Sequence, residues 1–338
     1  MDKNLCMRLN NTLYGLDVLG GEINYISHAH TDHSYALKAK APIFCSDITS
    51  QILGIEYNEN EKIKEKTEHL ESNSKKQKSA PVRIPIPKNF KFADAGHILG
   101  STQLEAQTDE FGKLVYTGDF KLRDGLTLKS AKVLECDTLI CECTYGTPEA
   151  KFPKPEEVYE NMQKWSKQNS NSIQLWGGYS TGKAQELIKF LNDYTNTTPI
   201  VPPQISQICA HYKRNGVKLE WLDSTSSEAQ EQMRCAFCAV FPPHQLNKKF
   251  AWQIASAHKR TTKVAVATGW TGFRKISADA SFPLSDHADF GEIYDYALSS
   301  NAKKVFLVHG ENTYTAKKLK EKGINAFAID QIQKEIRE

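Results

Sequence analysis

Seven consecutive residues of this 338-residue chain concentrate metal-binding chemistry: Ser27-His28-Ala29-His30-Thr31-Asp32-His33. Three histidines and an aspartate fall in the pattern H-x-H-x-D-H. Neutral imidazole is the commonest protein ligand for zinc-like ions, and a carboxylate completes such sites. Composition alone would produce this pattern in roughly four chains in ten thousand, so a chance cluster of surface histidines is a poor competitor. The apolar segment Ile23-Asn24-Tyr25-Ile26 precedes the run and places it at the end of a strand. From a loop there, His28 and His30 can face one ion while Asp32 and His33 turn to a second.

Further donors lie downstream. His97 sits between Gly96 and Gly100, on a tight turn, and reads as a third imidazole for the first ion. The strand over residues 113–117 closes on Gly118-Asp119. A carboxylate at a strand end is what a bridge between two cations requires, because its negative charge screens their repulsion. Another apolar strand, Thr138-Leu139-Ile140-Cys141, delivers Glu142.

Several elements must position these groups. Residues 4–26 read as short strands with a turn at Gly20-Gly21, and Asp17 lies among them as a candidate partner for a ligand histidine. An amphipathic stretch over 35–41 follows, then a buried strand over 42–45 and a helix capped by residues 47–50. Residues 58–79 are polar and charged and read as a solvated insertion, with His69 as a surface residue. Strands return over 82–86 and 90–101. From about 148 to 280, strands and helices alternate, as in a small parallel sheet with flanking helices.

Two motifs in that middle region carry weaker signals. Gly177-Gly178-Tyr179-Ser180-Thr181-Gly182-Lys183 has phosphate-loop spacing, but Ala184 stands where a nucleotide site needs a hydroxyl. Its backbone amides and Lys183 instead suit a grip on nucleic-acid phosphate, since a helix N-terminus favours anions. Cys235 and Cys238, with Cys209 and His211 upstream, form either a structural zinc site or a set of buried thiols. Lys248, Lys249, Lys259, Arg260, Lys263, Arg274 and Lys275 are interleaved with Phe250, Trp252 and Trp270. They line either a nucleic-acid groove or an ordinary solvated face.

Composition sets the bounds. The length allows one large or two ordinary domains. No apolar run approaches the ~20 residues of a membrane span, and the N-terminus lacks a signal-peptide pattern, so a cytoplasmic protein is expected. Eight cysteines, scattered singly or in close pairs, are not a disulfide framework. The net charge of +3 neither demands nor forbids a polyanionic partner.

These motifs together resemble the metallo-β-lactamase superfamily: H-x-H-x-D-H, then a glycine-flanked His97, then Thr117-Gly118-Asp119. Glu142-Cys143-Thr144-Tyr145-Gly146 is similar to the signature opening the β-CASP nuclease group, and two later stretches match it too. These are Pro283-Leu284-Ser285-Asp286-His287-Ala288-Asp289 and Phe306-Leu307-Val308-His309-Gly310-Glu311. Gly269-Trp270 narrows the likeness to short members such as ligase-associated DNA exonucleases; the group also includes RNA 3′-end processing endonucleases.

The resemblance implies an α/β fold, an αββα metallo-β-lactamase sandwich carrying an inserted β-CASP domain with a small parallel sheet. It implies residues 1–147 and 281–338 in the sandwich and 148–280 in the insert. It places His28, His30 and His97 on one Zn2+ and Asp32, His33 and His309 on a second, with Asp119 bridging; Mn2+ is a conceivable substitute. It also implies a nuclease that hydrolyses DNA or RNA phosphodiesters through a hydroxide shared by the ions, with Asp32, Glu142 and His287 as catalytic residues. Poised by Glu142, His287 would supply a proton to the departing oxygen or hold the scissile phosphate. Ser180, Lys183 and Ser285 are the candidate substrate contacts. Single-stranded nucleic acid is the expected partner, and a homodimer or a ligase or processing partner stays open. The competing readings are a small-molecule hydrolase of the same superfamily, acting on a β-lactam or thioester, and a non-catalytic processing-complex subunit.

Overall fold

The computed structural model describes residues 5–55 and 82–329. The polar stretch expected over 58–79, with His69, falls outside these residues. In chain order the first sheet contains β1 (Cys6–Leu9), β2 (Thr12–Leu16), β3 (Ile23–Tyr25) and β4 (Ile43–Phe44), followed by helix α1 (Asp47–Leu53). Strands β1 and β2 form a hairpin over Asn10-Asn11, whose φ angles of 47° and 63° are the paired positive values of a two-residue hairpin turn. Glycines 20 and 21 instead lie on the short connection between β2 and β3, which run parallel.

Next come β5 (Phe90–Asp94), β6 (Thr102–Thr108), β7 (Gly112–Tyr116) and β8 (Thr138–Glu142). A parallel array follows: α2 (Pro155–Gln168), β9 (Ile173–Gly177), α3 (Lys183–Thr195), β10 (Ile200–Val201), α4 (Pro203–Arg214), β11 (Leu222–Asp223), α5 (Ser227–Gln232), β12 (Cys238–Phe241), α6 (Lys248–His258), β13 (Thr262–Ala267) and β14 (Ala280–Phe282). The chain then returns through α7 (Phe290–Ser299), β15 (Lys304–Val308), α8 (Asn312–Glu321) and β16 (Asn325–Ala328).

The second sheet has the order β16-β15-β8-β7-β6-β5, so strands from both ends of the described chain share it. Alternation along its strands builds two layers of core. Leu114, Tyr116, Ile140 and Val308 face the first sheet and pack with Leu16, Tyr25 and Phe44. Their neighbours Val115, Leu139, Cys141 and Leu307 face the other way, onto Ile293 and Tyr296 of α7 and Leu319 of α8. On the outer side of the first sheet, Ile26, Ile43 and Cys45 are covered by Ala36, Leu37 and Leu53. The layers are therefore helix, sheet, sheet, helix. Burial on both faces explains why β8 and β15 read as continuous apolar runs rather than alternating ones.

The third sheet, order β11-β10-β12-β9-β13-β14, is parallel throughout. Trp176, Val240 and Ala265 face α2, α3 and α4, while Leu175, Ala239 and Val264 face α5 and α6. Its last strand ends at Phe282, two residues past the expected limit of the insert.

Three local expectations need correction. Residues 82–86 form no strand; Arg83 makes a single bridge to Ile43. Pro85 and Pro87 lack the N–H donors a ladder needs. Residues 47–50 lie inside α1, whose cap is Ser46, its Oγ accepting from Thr49 N at 3.1 Å. The stretch 35–41 shortens to a 3-10 turn over Tyr35–Lys38.

Candidate metal centre

Every donor sits just beyond the carboxyl end of a strand. Strand β3 leads to His28, His30 and His33, β5 to His97, and β7 to Asp119. Strand β8 ends on Glu142 itself, and β15 leads to His309. Because β5 and β7 both run antiparallel to β6, their carboxyl ends share an edge with that of the parallel neighbour β8. Gly118, at φ +55°, lets the turn before Asp119 pass close to the histidine loop. A Cβ there would sit 2.8 Å from Ser27 Cβ.

Hydrogen bonds around the rim fix which ring nitrogen faces inward. The Thr181 carbonyl accepts from His30 Nε2 at 3.1 Å, leaving His30 Nδ1 unprotonated and inward. The Asp286 carbonyl accepts from His97 Nδ1 at 2.8 Å, leaving Nε2 inward. Ser27 donates its hydroxyl to Asp17 Oδ2 at 2.6 Å, so its lone pair accepts from His28 Nδ1 at 2.9 Å. His28 Nε2 and His97 Nε2 then each lie 3.1 Å from His30 Nδ1. Three lone pairs aimed at one point repel unless a cation lies among them. The spacing also suits one, since tetrahedral zinc separates its ligand atoms by about 3.3 Å.

Asp119 is the hub. Its Oδ2 stands 3.3 Å from His33 Nε2, 3.6 Å from His28 Nε2 and 3.7 Å from His97 Nε2. The ligand atoms of His28, His30, His97 and Asp119 all lie within 4.8 Å of one another. His33 is held from behind by Asp17, whose Oδ2 accepts from its Nδ1 at 2.9 Å and from Tyr116 Oη at 2.8 Å. His309 brings its ring centroid to 5.5 Å from that of His33. Its Nε2 is buried without a hydrogen-bond partner among the described residues, and its φ of 63° is a left-handed conformation uncommon for a residue other than glycine. An orphaned, buried imidazole nitrogen at the edge of this cluster fits a cation ligand. Asp32 differs from the rest: it is exposed and belongs to none of the converging groups among the described residues.

Electrostatics agree with this division. Burial, with nearby imidazoles adding to it, drives His28 and His97 well below the ordinary histidine pKa, and burial also lowers His30. They are neutral, as ligands must be. Burial acts the same way on His33, but Asp119 and Asp17 outweigh it and raise that ring well above normal. A position that stabilises a proton between two carboxylates equally stabilises a metal ion. Burial disfavours the charged form of Asp119, yet His33 and His287 override it and keep the carboxyl well below its usual range.

Beside the cluster, His287 Nδ1 donates to Glu142 Oε1 at 2.9 Å and lies 4.0 Å from Asp119 Oδ2. Glu142 is fully buried, and Thr144 N donates to its Oε2 at 2.9 Å. Burial alone would lower the pKa of His287, but the carboxylates of Glu142 and Asp119 push it up to about 9.

The other candidate residues fare differently. Lys183 is 1% exposed, its ammonium held between Glu186 Oε2 at 2.5 Å and Asp286 Oδ1 at 2.7 Å. That group is not offered to a substrate phosphate here; it ties α3 to the turn bearing His287. Ser285 shapes that turn, its Oγ accepting from His287 N at 3.0 Å. The Ser180 carbonyl accepts from Gln185 Nε2 at 3.0 Å. Cys209 and Cys238 are buried and Cys235 is exposed. None of the three joins a metal-ligating group among the described residues. Sequence reading did not find Ser27, Tyr116 or the carbonyls of Thr181 and Asp286. A backbone acceptor leaves no residue-type signal.

Comparison with known proteins adds an independent line. Residues 276–329 match the family model of the Zn-dependent metallo-hydrolase RNA specificity domain. The chain is 28% identical over 313 residues to a protein named Probable DNA ligase from Opitutus terrae, covering 90% of this chain and 28% of that one. It is 30% identical over 189 residues to an RNase J-like protein from Methanocaldococcus jannaschii, covering 50% of this chain and 43% of that one. The chain is thus similar to the β-CASP group of the metallo-β-lactamase superfamily. A solved structure of an Enterococcus faecalis protein of unknown function shares the fold, with TM-score 0.54 at 13% identity over 86% of this chain and 77% of that one. The chain spans less than half the length of these two curated relatives. No helix among its described residues is long and apolar enough to cross a membrane.

Proposed function

We propose that this protein is a zinc-dependent nuclease of the β-CASP group that hydrolyses phosphodiester bonds in single-stranded DNA or RNA. The observation that carries the reading is the convergence of three unprotonated ring nitrogens, from His28, His30 and His97, on the carboxylate of Asp119. In this reading those residues hold one Zn2+, while His33, His309 and Asp32 hold a second and Asp119 serves both. Bound zinc would polarise a water molecule and the phosphodiester, the chemistry two-metal sites supply.

The chain's own groups do the rest. Asp17 and Ser27 fix the orientation of His33 and His28, and the Thr181 and Asp286 carbonyls do so for His30 and His97. Ring tautomers fixed from behind keep the inward lone pairs aimed. His287, protonated at neutral pH beside Glu142, is placed to steady the scissile phosphate or to give a proton to the leaving oxygen. The names of the relatives, one a ligase and one an RNase J-like protein, support a nucleic-acid substrate.

The test is digestion of matched 5′- and 3′-labelled DNA and RNA strands with zinc and with a chelator, beside a β-lactam control. Zinc-dependent shortening of a strand is the expected result. β-Lactam turnover without strand cleavage would overturn the proposal.

A further inference from the structure

Four aromatic rings beside His287 belong to none of the apolar clusters that make the cores: Tyr145, Phe152, Trp270 and Phe273. Tyr145 is the centre. Its ring lies 6.0 Å from that of His287, 4.8 Å from Phe152, 5.0 Å from Trp270 and 5.9 Å from Phe273. The 3-10 turn Gly269–Gly272 is pressed onto it, and a Cβ on Gly269 would meet Tyr145 Oη at 2.4 Å. Trp270 is thereby seated on a buried ring rather than in a hydrophobic core.

Arg274 follows one turn later, its backbone N donating to Trp270 O at 3.0 Å. Its guanidinium lies 4.3 Å from the indole centroid, and it makes no ion pair among the described residues. Phe273 next to it is 41% exposed, and the space beside Gly272 is open, with nothing within 4 Å of a built Cβ. A flat cation braced on an aromatic ring, with an exposed ring beside it and no carboxylate paired to it among the described residues, matches what single-stranded nucleic acid offers: a phosphate and a base face.

We infer that Trp270, Phe273 and Arg274 form a nucleotide subsite flanking the reaction centre, in which Arg274 grips a backbone phosphate and Phe273 stacks a base. The inference rests on the nuclease reading and deepens it. The contacts run from His287 through Tyr145 and Trp270 to Arg274, so the gripped phosphate belongs to a linkage neighbouring the cleaved one. The subsite reads backbone and base face rather than base edges, so it tolerates any sequence.

The experiment compares the native protein with Arg274→Gln, a change at an exposed residue whose guanidinium lies over Trp270. A fluorescein-labelled single strand is bound at several salt concentrations, and strands carrying one uncharged methylphosphonate linkage at successive positions are cleaved. Arg274→Gln is expected to weaken binding several-fold and to lower the slope of log K against log salt by about 0.7, one phosphate on a single strand. The native protein should lose rate at one methylphosphonate position, and that position should be silent in the variant. Phe273→Ala should cost about 10-fold in affinity for an ordinary strand and much less for one abasic at the stacked position. Arg234→Gln, an exposed arginine paired with Glu231, is the control and should leave the slope unchanged. Equal slopes for native and Arg274→Gln, with strands still cleaved, overturn the subsite and leave the nuclease standing. A native protein that neither binds nor cleaves strands overturns both.

Discussion

The carboxylate of Glu142 holds His287 Nδ1 at 2.9 Å, joining residues 145 positions apart at the mouth of the metal centre. Neither partner belongs to the converging lone pairs of His28, His30 and His97. His287→Ala is therefore expected to keep its zinc and lose turnover by about 100-fold, the scale of one positioned proton donor. Elemental analysis beside strand cleavage checks it. Zinc departing together with activity would reassign His287 as a ligand.

Asp119 makes the opposite prediction. Its Oδ2 faces four imidazoles, so Asp119→Asn removes the charge on which the cluster converges. Zinc content and strand cleavage should fall together, cleavage by at least about 100-fold when metal chemistry supplies the rate. Full activity at saturating zinc would exclude Asp119 as the shared ligand.

Asp17 acts at one remove, through His33. In Asp17→Asn the amide replaces an acceptor that also takes hydrogen bonds from Tyr116 and Ser27. Zinc affinity should weaken by about 10- to 100-fold with the fold retained, as for other groups that orient a ligand imidazole. Competition titration against a zinc indicator measures this. Unchanged affinity would count His33 out as a ligand.

His309 tests the second set. Its Nε2 is buried without a hydrogen-bond partner among the described residues, and its backbone is left-handed, which asparagine tolerates. His309→Asn should leave the metal-free melting temperature within a few degrees of native, since no hydrogen bond of that nitrogen is lost. The zinc-induced rise in melting temperature should shrink. Thermal scans with and without zinc decide it, and an undiminished zinc shift would remove His309 from the site.

The buried network of Lys121, Lys183, Glu186 and Asp286 predicts a pH dependence of stability. Burial opposes ionisation of Glu186, but Lys121 and Lys183 win and hold its carboxyl well below the usual 4.5. Its contribution is thus present above about pH 4.5 and lost as pH falls toward the depressed folded value. Burial likewise opposes the charge on Lys183, yet Asp286 and Glu186 raise its pKa above 10.5. That contribution is intact below pH 10.5 and lost as pH rises through the folded value. Glu186→Gln should cost about 3–5 kcal/mol at pH 7, the penalty for breaking a buried pair, and flatten the acid limb below pH 4.5. Urea unfolding between pH 3 and 7 measures both, and an unchanged acid limb would refute the assignment.

The sequence alone carried the donors with local signatures. Three histidines within six positions, Asp119 after a glycine and Glu142 at the end of an apolar strand are marked by residue type and spacing. Strands buried on both faces, such as β8 and β15, were legible as apolar runs, and the alternation in the middle region announced its parallel sheet. Tertiary structure decided everything that depends on who stands behind whom. Only the fold shows that Lys183 is occupied by Glu186 and Asp286, because spacing along a helix cannot reveal an ion pair with a residue 103 positions away. Only the fold names the carbonyls of Thr181 and Asp286 as the acceptors that set two tautomers, because every residue carries a carbonyl and none advertises its use. Ligand identity is a property of side-chain chemistry and survives in one dimension; the direction of a lone pair is a property of three.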